Sequence, residues 1–158
     1  MHIHIIAVGK RMPQWVDDAY REYARRMPRH CSLNLIEITA GHRGKNADLV
    51  RINRDEGERL LAAIPAGARV IALERRGRDK STEELVAALD RWLQDGQDVA
   101  LLIGGPEGLS EECLTRADEI WSLSSLTLAH PVVRVVLAEQ LYRAWSIQAG
   151  LPYHRGGE

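Results

Sequence analysis

The sequence predicts a single α/β domain built on a mostly parallel sheet with helices on both faces. Three observations predict it. Segments of strand pattern alternate with segments of helical period five times along the chain, the order a parallel sheet requires. The 158 residues suffice for one core, and no interior linker, repeat or low-complexity tract divides 1–158 into smaller units. Apolar residues make up 45% and charged residues 27%, which excludes a disordered chain; with no phenylalanine, the core volume falls to Leu, Ile, Val and four Trp.

The elements follow in order. His2–Val8 reads as a strand and Gly9-Lys10-Arg11-Met12-Pro13 breaks it. Trp15, Ala19, Tyr20, Tyr23, Ala24 and Met27 recur at helical spacing, and Pro28 ends that helix. Leu33–Ile38 alternates again, with Leu33, Leu35 and Glu37 on one face. A polar loop, 39–46, leads to a helix over Ala47–Ile64, which Pro65-Ala66-Gly67 stops. Arg69–Glu74 is a short strand and Arg75–Lys80 a charged loop. Ser81-Thr82-Glu83-Glu84 is a capping box that starts a helix running to Leu93. Asp98–Ile103 is a buried strand, and Ser110 caps a short helix with Glu111 and Glu112 in its first turn. Ile120–Leu123 is the last strand. Pro131 opens a final helix that ends at Ala149 before Gly150.

Ligands in open α/β sheets sit outside the carboxyl ends of the strands, here Glu74, Gly104, Leu123 and the loop after Val8. Gly104-Gly105-Pro106-Glu107-Gly108 leaves one of those ends; its glycines permit close approach of a ligand, although a tight βα turn alone explains them too. It lacks the spacing of a dinucleotide or triphosphate loop. Leu123–His130 sets hydroxyls between leucines, a composition that encloses an adenine or merely caps its own backbone. The last helix is apolar on more than one face and so predicts a subunit interface. Glu139 and Arg143 pair at i,i+4, or else Arg143 is free for an anion. Tyr153-His154-Arg155 offers a stacking ring, a titratable imidazole and a cation near the terminus. Arg43 and Lys45, with Lys10 on another loop, are candidate phosphate contacts.

Net charge is −1, distributed as +3 over residues 1–59 and −4 over the rest, so a basic N-terminal half faces any anionic partner. His2 and His4 share a strand face without a third ligand, and no Cys/His cluster calls for metal. Cys31 and Cys113 are isolated thiols, and the apolar start is too short for a membrane span and lacks a cleavage site; both fit a cytoplasmic protein without membrane contact. No G-x-S-x-G elbow supports a serine hydrolase. On residues alone, an RNA-binding module and a nucleotide-dependent hydrolase remain rivals to any transferase.

Several motifs taken together resemble the RlmH family of the SPOUT methyltransferase superfamily. They are Leu102–Leu109, Trp121–Leu128, His130–Arg134, Glu139–Trp145 and Pro152–Arg155, with Ala7–Lys10 and Gly41–Asp48 in the N-terminal half. The resemblance spans essentially the whole chain. It implies a C-terminal trefoil knot, S-adenosyl-L-methionine as methyl donor, and a homodimer with sites at the interface. It implies a pseudouridine in helix 69 of 23S ribosomal RNA as substrate, methylated at N3, on the assembled ribosome. Carried over by position, it implies a donor site at Leu73, Gly104 and Leu123, Ser124, Ser125, Leu126, Thr127 and Leu128. His154 is then the expected base or proton relay, Arg143 or Arg155 the stabiliser of a forming anion, and Tyr153 a stacking partner. One departure stands out: members commonly carry proline where this chain has Ala129.

Overall fold

A computed structural model describes residues 1–155; the C-terminal extension Gly156-Gly157-Glu158 lies outside the described residues. The order is β1 (His2–Val8), α1 (Gln14–Ala24), β2 (Ser32–Ile38), α2 (Leu49–Ala62), β3 (Arg69–Asp79), α3 (Thr82–Asp95), β4 (Val99–Ile103), α4 (Glu111–Arg116), β5 (Glu119–Ser122) and α5 (His130–Gln148), with one 3-10 turn at Arg29–Cys31. The strands form one sheet in the order β2-β1-β4-β3-β5. Every adjacent pair is parallel, which extends the sequence expectation of a mostly parallel sheet.

Side-chain alternation along the strands builds two cores. Ile3, Ile5, Ala7, Ile71, Leu101 and Ile103 face α1, α3 and α5, where Tyr20, Leu89, Trp92, Leu137 and Leu141 meet them. Ile6, Val8, Val70, Ala72, Ala100 and Leu102 face Leu60 of α2 and Cys113 of α4. Trp92 stacks on Trp121 with ring centroids 5.8 Å apart, supplying bulk that phenylalanine would otherwise give.

The ends of the helices obey local chemistry. Ser81 Oγ accepts from Glu84 N at 3.1 Å and Glu84 Oε1 accepts from Ser81 N at 3.2 Å, the reciprocal box read from the sequence. α2 begins two residues later than expected, because Asp48 caps it by accepting from Arg51 N at 3.2 Å.

The charged stretch 75–80 is not a loop. β3 continues through it to Asp79: Leu73 pairs with Trp121, the register then shifts, and Arg78 pairs with Trp121 and Asp79 with Ser122. A Cβ on Gly77 would stand 2.8 Å from backbone atoms of Ile120 and Trp121, so only glycine permits this approach. Consecutive charges mask the strand period, which is why the sequence hides it.

Candidate active site

The carboxyl ends of β3, β4 and β5 and the start of α5 surround a cavity of about 420 Å³. Its apolar wall includes Leu73, Ile103, Leu109, Leu123, Leu126, Leu128 and Val133; Glu74, Arg75, Ser122, Ser124, Thr127 and His130 supply polar groups. Leu73, Gly104, Leu123, Ser124, Leu126, Thr127 and Leu128 all line it, so most of the expected donor-site residues converge on one space. Ser125 is exposed on the same loop, outside the lining.

The floor is the turn Gly105-Pro106-Glu107-Gly108, closed by Gly108 N donating to Gly105 O at 2.9 Å, with proline at the second position presetting φ. A Cβ on Gly104 would lie 2.5 Å from the Gly108 carbonyl. Any larger residue at 104 therefore displaces the turn rather than simply filling the cavity. The facing loop holds itself: Ser122 Oγ donates to Ser124 O at 3.0 Å, and Ser124 Oγ accepts from Leu126 N at 2.9 Å. Arg75 Nη1 donates to Thr127 Oγ1 at 2.7 Å, tying that loop to β3.

Sequence reasoning missed Arg134. Its side chain is fully buried at the start of α5, where Nη1 donates to Glu37 Oε2 at 2.6 Å and Nη2 to Gly9 O at 2.7 Å. Nη2 also reaches His130 Nε2 at 3.3 Å, and Nε has no partner among the described residues. This one guanidinium joins the end of β1, the edge strand β2 and the cavity wall. A signal was available: Glu37 shares its strand face with Leu33 and Leu35, and a core-facing acid demands a buried cation. His130 is held below its ordinary value of 6.5, by burial first and then by the Arg134 charge. It lines the cavity, and because Arg134 can only donate, Nε2 is the accepting nitrogen of that contact.

Arg43 stands apart from the free phosphate contact expected of it. Its Nη1 donates to Glu56 Oε2 at 2.9 Å and its Nη2 to Glu56 Oε1 at 2.9 Å and Glu107 Oε2 at 2.6 Å. Glu56 is almost wholly buried and also accepts from Gly41 N at 2.8 Å. Arg43 thus latches the 39–48 loop onto the glycine turn, and it holds the Glu107 carboxyl below the usual carboxylate range. Lys10 and Lys45 are exposed.

The C-terminal residues gather elsewhere. Arg143 Nε donates to Glu139 Oε1 at 3.1 Å, and its Nη1 donates to His154 Nδ1 at 3.0 Å. Its guanidinium lies 4.9 Å from the Tyr153 ring centroid, and Tyr153 Oη donates to Glu139 Oε2 at 3.2 Å. Burial above all raises the Tyr153 phenol, with a Tyr23 hydrogen bond and the Glu139 charge adding to it, so this ring donates and does not ionise. The tail is therefore docked on α5 rather than frayed. Arg155 is exposed beyond it. This cluster does not meet the cavity within the chain: His130 and Arg143 stand about 20 Å apart along α5, at a helical rise of about 1.5 Å per residue.

Among the described residues, no group of three or more His, Cys, Asp or Glu is placed to hold a metal ion. His2 and His4 bond instead to Ser32 Oγ and, at 3.3 Å, Asp98 Oδ2. No helix among the described residues is long and apolar enough to cross a membrane.

Comparison with known proteins bears on this geometry. A family model described as "Predicted SPOUT methyltransferase" matches residues 1–154. The ribosomal RNA large subunit methyltransferase H of Thioalkalivibrio sulfidiphilus is 61% identical over 98% of this chain and 99% of its own length. The protein of that name from Methylococcus capsulatus is 54% identical over 98% of this chain and 100% of its own. A methylase family protein from Neisseria gonorrhoeae is similar in fold, with a TM-score of 0.54 at 18% identity, covering 99% of this chain and 87% of that one. The chain belongs to the SPOUT methyltransferase family.

Proposed function

We propose that this chain transfers a methyl group from S-adenosyl-L-methionine to ribosomal RNA, at N3 of a pseudouridine in helix 69 of the 23S molecule. The observation that carries the reading is the cavity at three strand ends, bounded by a glycine turn and a leucine-rich loop. Its chemistry fits the donor: leucines for the adenine faces, exposed loop backbone for its polar edge, and a turn where a Cβ at Gly104 has no room. The donor, when bound, supplies an electrophilic methyl group.

The chain's own task is to orient the base and manage the N3 proton. Because Arg143 donates to His154 Nδ1, the imidazole carries its hydrogen on Nε2 and presents a donor to a base carbonyl. To take the N3 proton at Nδ1, His154 must first release Arg143. Arg143, freed, then faces the charge that develops on the ring. Tyr153 offers its ring for stacking, and Arg155, Lys10 and Lys45 offer cations for phosphates. The Arg43 latch acts on the glycine turn rather than on RNA.

The separation of cavity and cluster supports a homodimer in which the tail of one chain completes the cavity of the other. The half-buried face of α5, with Val132, Val136, Glu139 and Arg143 in helical register, suits that contact. The C-terminal segment is read as a trefoil knot, and the place of work as the cytoplasm, with ribosomes.

The test is methyl transfer to assembled ribosomes, separated subunits and naked RNA, with mapping of the modified nucleoside. The expected result is N3-methylpseudouridine in helix 69 on ribosomes. Transfer to a different nucleoside, or to none, overturns the reading.

A further inference from the structure

The roles above use none of the cations between Glu74 and Ser81 for substrate. Four of them, Arg75, Arg76, Arg78 and Lys80, fall within six residues, beside a single acid, Asp79. The irregular stretch of β3 gives them a defined place. Glu74 and Arg75 line the cavity, Arg76 follows them directly in the chain, and Arg78 returns to the ladder opposite Trp121. The bulge is held rather than loose: Gly77 packs on the β5 backbone, Arg75 bonds Thr127, and Lys80 Nζ lies 5.1 Å from the Trp121 ring centroid with its side chain only 12% exposed.

Arg76 and Arg78 are presented differently. Their side chains are 87% and 76% exposed. Their acidic partners are distant, Glu74 at 3.6 Å and Glu84 at 3.7 Å. Pairs so long and so wet contribute little, and a phosphate displaces them at small cost. Guanidinium forks match phosphate oxygens, and bulges recur beside active sites, where they re-aim side chains.

We infer that this β3 bulge is a phosphate-gripping rib of the RNA site, with Arg76 and Arg78 on the nucleic-acid backbone and Arg75 linking the rib to the Thr127 loop. The inference rests on the rRNA reading and adds to it a surface and two named contacts. An open rib bearing two cations two residues apart suits a chain of phosphates better than a lone phosphorylated metabolite, which needs convergent, enclosed cations.

The experiment measures binding of purified 70S ribosomes over a salt series, for the wild type, Arg76→Ala/Arg78→Ala and Arg76→Lys/Arg78→Lys, with donor affinity by calorimetry alongside. Two lost phosphate contacts should lower the slope of log K against log salt by about 1.4–1.8 in the alanine variant. The lysine variant should keep the slope, and donor affinity should stay unchanged throughout. A wild-type slope in the alanine variant overturns the rib alone. Wild-type protein that neither binds nor methylates ribosomes overturns the rRNA reading and the rib with it.

Discussion

The two ends of α5 are built on opposite principles. At its start, Arg134 is fully buried, bonded to Glu37 and the Gly9 carbonyl, and packed beside His130. Nothing there needs to move for the cavity wall to be complete. At its far end, Arg143 is bonded to Glu139 and His154 but remains 27% exposed. Each of its bonds can be exchanged for one to a ligand. The first end is pre-organised within one chain, whereas the second is poised at the surface. On the proposed reading, donor binding is a property of one chain's fold, and acceptor chemistry depends on what covers the poised end.

Four substitutions break or sharpen this contrast. Arg143→Ala should lower kcat on ribosomes about 10²–10³-fold by removing the group proposed to face developing charge. Urea unfolding and calorimetric donor binding should match wild type; a matching loss of stability makes Arg143 structural instead. Arg134→Ala should do the reverse, costing about 3 kcal/mol in urea unfolding by emptying a fully buried side-chain site and removing the donor to the Gly9 carbonyl and the part-exposed Glu37 carboxylate. Donor binding should weaken with it, and a change below about 1 kcal/mol would show that the buried network is not what holds the wall.

His130 gives a subtler signature. Its folded value lies below 6.5, so the unfolded chain binds the proton more readily. The wild type should lose stability as pH falls from 6.5 toward the lower folded value, and none from this source above 6.5. His130→Gln should flatten that limb when unfolding is measured at a series of pH values; an unchanged limb removes His130 as its cause. Smallest is Ala129→Pro. Ala129 already sits at φ −60°, the angle proline imposes, so the ring should add about 0.4–1 kcal/mol to urea stability. Destabilisation would mean that the loop before α5 needs its freedom.

The sequence made the loops around both ends of α5 legible, but not the buried contacts that hold them. Strand ends, glycines and leucine-hydroxyl alternation are local patterns, and the loops they pick out line one cavity. The tail was also readable, because Tyr153, His154 and Arg143 are chemically conspicuous. Arg134 was overlooked: Glu37 hints at a cation on its strand face, but which cation is decided by partners 97 and 125 residues away, on β2 and just past β1. Arg43 misled for the opposite reason: a basic residue in a glycine-containing loop looks free, and only folding brings Glu56 and Glu107 to it. The β3 extension hid because alternating burial cannot show through consecutive charges.

Complementation between chains tests the central claim most directly. Gly104→Val should disable the cavity and Arg143→Ala the cluster, leaving each homodimer inactive. After unfolding and refolding the two together, half of the sites in each mixed dimer would unite an intact cavity with an intact cluster. Methyl transfer should then return to about a quarter of the wild-type rate for a two-fold symmetric dimer with random pairing. Mixtures that form mixed dimers yet stay inactive would contradict the account and return the whole site to a single chain.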